Sequence, residues 1–398
     1  MPDSTIINCF PGYEIVTDER GIEHNMYRGT DVGHGGYIYS EPGMYSNVAL
    51  LDVASMHPNS IINMNKLGDY TDRYTNLIKA RIFIKHHDYE SAKKLFDGKL
   101  DKYLTNDDDA DALATALKYP ANAFYGLCSA TFENPARDSR DRNNIVALRG
   151  ALFMRTLQDE IIAKGFRPIS FRTDSVKIPD ATPEIIQFVQ DFAKEYGYEM
   201  EHECTYEKLC LVNDSAYVAK YDDKGIRNKG GKHAGEWTAT AAEFQVPFVF
   251  KTLFSKEPIE FKDLCVTKEV TKGSLYLDYN ENLPEDEHDY KFIGKIGLFC
   301  PIKAGEGGGL LYRCQDDKYY AAAGTKGYRW LEAEAVKNAQ FEDKIDMDYF
   351  HTMVDSAVEH IKEFGDFEWF TSNEDMSWLY VKDNTPEEVE FTAMNKPE

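Results

Sequence analysis

No apolar run in the 398 residues reaches the roughly 18 that a membrane-crossing helix needs, and the first residues carry no basic-then-apolar leader pattern. These two absences set the expectation of a soluble, cytoplasmic protein with no membrane partner. Cysteine is sparse as well. The seven (Cys9, Cys128, Cys204, Cys210, Cys265, Cys300, Cys314) are scattered and form no C-x-x-C pair, which argues against a zinc site or a disulfide framework and for reduced thiols. Basic charge is the largest deficit: the net charge is −23, opposite to the footprint of an ordinary nucleic-acid binder. That deficit is uneven. Between Leu331 and Glu398, eighteen acidic residues face five lysines, so more than half of the excess lies in the C-terminal stretch and the body is far closer to neutral. Within the body the cations cluster, at Arg137, Arg140 and Arg142 and again at Lys220, Lys224, Arg227, Lys229 and Lys232. An acidic terminal region of this kind either keeps the chain soluble or turns a polyanion away from the wrong surface.

With 42% hydrophobic and 13% aromatic residues the chain can build a sizeable core, and its length implies two or three subdomains. The most informative stretch starts at Val48-Ala49-Leu50-Leu51, an unbroken apolar run that reads as a buried strand, and ends on one carboxylate, Asp52. An acid at the rim of a sheet needs a partner, a metal ion or an arginine. Residues 166–178 read as a β-hairpin with a second isolated carboxylate, Asp174, at its turn. Between the two, Lys118, Asn122 and Tyr125 follow at spacings of four and three and share one face of a helix. Two acids and a helix bearing a cation describe a site for a metal-bound polyphosphate.

Three ordered motifs carry a resemblance. Asp52 to Pro58 is similar to an Asp-x-x-Ser-Leu-Tyr-Pro motif, Lys118 to Gly126 to Lys-x-x-x-Asn-x-x-Tyr-Gly, and Thr173-Asp174-Ser175 to the end of Asp-Thr-Asp-Ser. In this order the chain resembles the polymerase domain of family B DNA polymerases of the phage and viral kind, well from about residue 35 to 254 and loosely elsewhere. The resemblance implies an α+β fold with right-hand architecture: an antiparallel-sheet palm, helical-hairpin fingers and a mixed thumb. The expected divisions are 1–65 (N-terminal segment and first part of the palm), 66–128 (fingers), 129–225 (palm) and 226–398 (thumb and acidic C-terminal region).

The implied activity is template-directed addition of deoxynucleotides to a primer 3′ end, in viral DNA replication and in the host cytoplasm. Asp52 and Asp174 would be catalytic and, with the Val53 carbonyl, would hold two Mg²⁺ ions, with Mn²⁺ as a substitute. Arg81, Lys85, Lys118, Asn122, Tyr125, His57 and Ser55 would contact the deoxynucleoside triphosphate. Gly35, Gly36, Thr173, Tyr217, Lys220, Lys229 and Lys232 would contact primer-template DNA. About fifty residues precede Asp52, without the acid motifs of a proofreading exonuclease, so that activity is expected on a separate partner chain or not at all.

Four departures weigh against a fully active enzyme. Arg172 stands where the family has the first Asp of Asp-Thr-Asp-Ser, placing positive charge near the metals. His57 replaces the Tyr under the sugar. Gly33 occupies the Tyr position of a Tyr-x-Gly-Gly template motif, and Ser215-Ala216-Tyr217 has lost the Lys of a Lys-x-Tyr motif. The alternative is a weakened or inactive polymerase-like DNA-binding subunit of a split replicase. A two-metal nuclease would use the same acids without needing Arg81, Lys85 and Lys118.

Periodicity predicts helices over about 69–95, 143–164, 183–196, 238–254 and 347–364, with a kink at Pro120 in the Lys118 helix. It also predicts a strand over 208–212, a mobile basic loop over 221–235, and short strands and turns over 292–309 and 319–331.

Overall fold

The computed structural model describes residues 4–130, 132–134, 144–280, 282–284 and 287–372; the expected Arg137, Arg140 and Arg142 cluster lies outside them. The fold is α+β. The chain divides between Thr238 and Ala239 into two compact units.

The first unit is built on a seven-stranded sheet. In spatial order its strands are Trp237–Ala239, Tyr217–Tyr221, Met200–Leu211, Gly43–Val53, Ser175–Pro179, Ser170–Arg172 and Ile38–Ser40. Gly43–Val53 lies at the centre, antiparallel to both neighbours. Both faces of this strand are covered, which is why its apolar run is unbroken rather than alternating. Ala49, Leu51 and Val53 pack on one side with the helices Met56–Asn63, Ile145–Ala163 and Pro183–Glu195. Val48 and Leu50 pack on the other with Ile169, Cys204, Tyr206 and Leu209. Alternation puts Asp52 on the Val48 and Leu50 face, at the end of the strand.

Several elements depart from the periodicity reading. The strand predicted over 208–212 begins at Met200. Ile145–Ala163 is buried nearly all round rather than amphipathic, because it lies under the sheet with helices beside it. The helix predicted over 69–95 stops at Lys85; His87 takes a positive φ of 57°, and Asp88 caps a new short helix, Tyr89–Lys93, by accepting from Ser91 N at 3.1 Å. Thr71–Lys85 packs against Asp107–Ser129 through Ala80, Ile84, Ala110 and Ala114. Asn106 caps the latter by accepting from Asp109 N at 2.9 Å, and that helix runs on through Pro120 to Ser129.

The basic loop after Tyr221 is folded on itself. Asp222 pairs with Arg227 at 2.9 Å and Gly235 N donates to Asp222 O at 2.9 Å. Trp237–Ala239 then joins the sheet edge, and the chain divides after Thr238.

The second unit has two sheets. One orders Val266–Glu269, Ile296–Ile302 and Arg329–Glu332; the other orders Tyr290–Gly294, Ser274–Asp278, Leu310–Gln315 and Lys318–Ala321. Its core gathers Leu275, Leu277, Phe299, Trp330 and Phe350, the last from the helix Met347–Lys362. The helix predicted over 238–254 is broken into Ala242–Gln245, Pro247–Phe250 and a π turn, Lys251–Ser255. Pro247 explains the break: it drives Val246 out of the helical region, to ψ 122°. Among the described residues, no helix is long and apolar enough to cross a membrane.

Candidate functional site

The central strand ends by tying the Asp174 hairpin to itself. Asp52 stands opposite Ser175 in register, and Val53 N donates to Asp174 O at 2.8 Å. Thr173, at φ 55°, makes the hairpin turn, and Asp174 N donates to Arg172 O at 2.7 Å. Beyond Val53 the chain turns sharply. Ser55 adopts left-handed angles (φ 58°, ψ 55°) and leads straight into Met56–Asn63, a conformation costing a non-glycine residue about 1 kcal/mol or more.

These elements and the packed helix pair enclose a cleft of about 250 Å³. Asp52, Val53, Ser55, His57, Arg81, Lys85, Lys118, Asn122 and Asp174, all singled out from the sequence, line it. Tyr125 is not on the lining. It stacks flat on His57, with ring centroids 4.2 Å apart and planes 5° apart, and its hydroxyl accepts from Asn144 Nδ2 at 2.7 Å. Arg81 Nη1 donates to Ser55 Oγ at 3.1 Å, while its buried Nε, like His57 Nδ1, has no hydrogen-bond partner.

Sequence reading missed Glu201, Glu203 and His86, which also line the cleft. Glu201 stands opposite Asp52 in register. The pairing slips by one residue between Leu50 and Leu51, leaving Glu203 as the extra residue of a bulge. The signal was available as acids at every second position, Glu199, Glu201 and Glu203. His86 Nε2 meets Glu201 Oε1 at 2.9 Å, joining the end of a cleft helix to the sheet.

The acids dominate the electrostatics. Burial, then repulsion from Asp174 and Glu203, pushes the Asp52 carboxyl up to about 8, with Lys85 partly offsetting this. Burial also raises Asp174, aided by Glu203 and opposed by its own backbone hydrogen bond and by Arg172. Lys177, a further residue the sequence reading passed over, is buried on the Asp52 face opposite Leu50, its ammonium 4.7 Å from the Tyr217 ring. Burial above all brings it down to about 8. Among the described residues no group of three or more His, Cys, Asp or Glu side chains is arranged to hold a metal ion; the candidate donors are a pair of aspartates.

The remaining predicted contacts lie outside the cleft. Gly36 abuts the hairpin: a Cβ on it would come within 2.9 Å of Thr173 Cγ2, and Thr173 N donates to Tyr37 O at 3.0 Å. Gly35 is exposed beside it. Tyr217 is half-buried, Lys220 is held by Glu207 at 3.0 Å, and Lys229 and Lys232 are exposed on the folded loop.

No family model matches the chain, and no curated protein does. Among solved structures, a family B DNA polymerase from the hyperthermophilic archaeon Pyrobaculum calidifontis is similar, at 14% identity and a TM-score of 0.44, over 86% of this chain and 49% of that one. The chain thus spans about half the length of that polymerase. At this distance the likeness says nothing of chemistry, and function rests on the cleft's own residues.

Proposed function

We propose that the chain is a template-directed DNA polymerase module, extending a primer 3′ end with deoxynucleoside triphosphates. The seven-stranded sheet is its palm, the pair Thr71–Lys85 and Asp107–Ser129 its fingers, and the second unit its thumb. The observation that carries this reading is the meeting of Asp52 and Asp174 with Arg81, Lys85 and Lys118 on one cleft. Four carboxylates, two of them the paired aspartates, and three cations on one cleft suit a ligand that is itself a polyanion carrying divalent cations. The donor set fits Mg²⁺, with Mn²⁺ as substitute: Asp52 and Asp174 offer only oxygens, the Val53 carbonyl is next in the chain, and a bound cation would offset the burial and the repulsion that hold the Asp52 carboxyl up. Bound there, divalent ions would acidify a primer 3′-hydroxyl and offset the charge of the leaving pyrophosphate.

The chain's own residues do the rest. Arg81, Lys85 and Lys118 bind the triphosphate and stabilise charge as it moves to the leaving oxygens. Ser55 holds the Arg81 guanidinium in place by accepting from its Nη1. His57, backed by the Tyr125 ring stacked on it, would form the flat wall under the sugar, and Asn122 would border the base. A viral source belongs to the same proposal.

Primer extension with labelled DNA and Mg²⁺ or Mn²⁺ tests it. The unaltered chain lengthens the primer; Asp52→Ala and Asp174→Ala each lower the rate more than about 100-fold with an unchanged circular dichroism spectrum. Undiminished extension by either variant removes the assignment. The Arg172 charge beside Asp174 favours a second reading, a DNA-binding subunit without catalysis, which predicts unchanged primer in every lane. Shortened primer would mark a nuclease.

A further inference from the structure

Arg172 is exposed on the hairpin that carries Asp174, two residues before it. Among the described residues it makes one long hydrogen bond, from Nη1 to Ser215 O at 3.4 Å, and no ion pair. It does not line the cleft. Its carbonyl partner sits on a turn held by Asn213, whose Oδ1 accepts from Ser215 N at 2.9 Å and from Ala216 N at 2.8 Å. The guanidinium therefore stands on a firm rim, beside the acids and outside them.

A strand whose end reaches Asp52 and Asp174 brings its last phosphates past four carboxylates, and it needs a cation on the approach to offset that repulsion. Among the described residues, five other cations of the cleft and its sheet are already engaged. Lys220 is neutralised by Glu207, Lys177 is buried against the Tyr217 ring, and Arg81, Lys85 and Lys118 face into the cleft from the helix pair. Arg172 differs from these five: toward the described residues, four of its five N–H donors are uncommitted, in a planar fork that matches a phosphate.

Resting on the polymerase reading, we propose that Arg172 binds a backbone phosphate near the 3′ end of the primer, with Ser215 O holding the guanidinium in place, so that it positions the strand rather than opposing the metal ions. This turns the most awkward departure of the sequence into a working part: the positive charge missing from Ser215 is supplied across the rim by the hairpin.

The test is equilibrium binding of a fluorescent primer-template to the full chain at several salt concentrations. Arg172→Ala and Arg172→Gln are expected to bind several-fold more weakly at low salt, and the slope of log affinity against log salt falls by about 0.9, the value of one lost phosphate contact. Arg172→Lys retains most of the slope. The glutamine can still donate to Ser215 O, so a purely structural arginine would leave Arg172→Gln at the unaltered slope, and that result overturns the proposal. Failure of the unaltered chain to bind primer-template overturns the polymerase reading and this assignment together. Binding by the unaltered chain with an equal slope for Arg172→Gln removes this assignment alone.

Discussion

Asp52 and Lys177 share a sheet face and bear opposite consequences for stability. The Asp52 carboxyl is raised from 3.8 to about 8, burial first and Asp174 second. Between those values the folded chain binds a proton that the unfolded chain has released. Its stabilising contribution is complete below about pH 4 and is lost as pH rises through 8. Lys177 is lowered from 10.5 to about 8 by burial, so across pH 8 to 10.5 the unfolded chain holds the extra proton and stability rises with pH. Asp52 is therefore expected to contribute a fall in the urea midpoint from pH 5 to pH 8 without divalent ions, against the rise up to about pH 6.5 contributed by His202, which burial lowers from 6.5 to about 4. Asp52→Asn flattens that fall. Lys177→Met leaves it in place, while removing the rise at higher pH. Adding Mg²⁺ at pH 8 recovers stability in the unaltered chain and not in Asp52→Asn. A pH 5 to 8 profile that is the same in Asp52→Asn as in the unaltered chain would contradict the buried, repelled Asp52.

Among the elements, Asp107–Ser129 shows most plainly how local rules and packing compete. An interior proline removes one backbone donor and clashes with the preceding turn, at about 3 kcal/mol, yet the helix continues through Pro120 with Lys118, Ala121 and Asn122 on the cleft. Tyr74 ties the helix to its partner just beyond the proline by donating to Ala121 O at 3.0 Å, while the carbonyl that the proline leaves without its donor is that of Ala116. Pro120→Ala is expected to raise stability by about 1–3 kcal/mol, measured as a higher urea midpoint, and to weaken triphosphate binding by re-aiming Lys118, measured by nucleotide titration. No gain in midpoint would mean that the proline fits its backbone at no cost. Features of this kind were legible in the sequence where they are local: the buried run ending in Asp52 and the tight turn at Asp174. Arg81, Lys85 and Lys118 were read as one surface, and they do meet on the cleft. What was not legible depends on distant partners. Alternating acids at 199, 201 and 203 look like the solvent side of a strand until a bulge and a central neighbour put two of them beside Asp52. Ile145–Ala163 gives no hint in itself that both of its sides are covered. The break at Val246-Pro247 was different: the proline was in plain view, and the apolar residues around it outweighed it in the periodicity count.

For the molecule as a whole, the division at Thr238 separates two cores that share no strand. Every residue of the second core, from Phe248 to Phe350, follows the division, and so do all the strands of its two sheets. Its loops are closed by its own groups as well: Arg329 donates to Gly307 O at 2.8 Å, and Lys251 pairs with Asp263 at 2.8 Å. A segment with its own sheets, core and loop closures, and within the usual span of domain sizes, has what independent folding requires. The fragment 239–372 is therefore expected to fold by itself. Two tryptophans report on it: Trp330, fully buried with Tyr349 edge-on at 5.3 Å, and Trp369, also buried. Blue-shifted emission that moves red in one cooperative urea transition is the expected result, with a midpoint close to that of the matching transition in the full chain. Red-shifted emission at zero urea, or a drift without a transition, would show that the second core needs residues before Ala239. It would also mean that the thumb of the proposed polymerase is a part of the first unit's fold and not a domain attached to it.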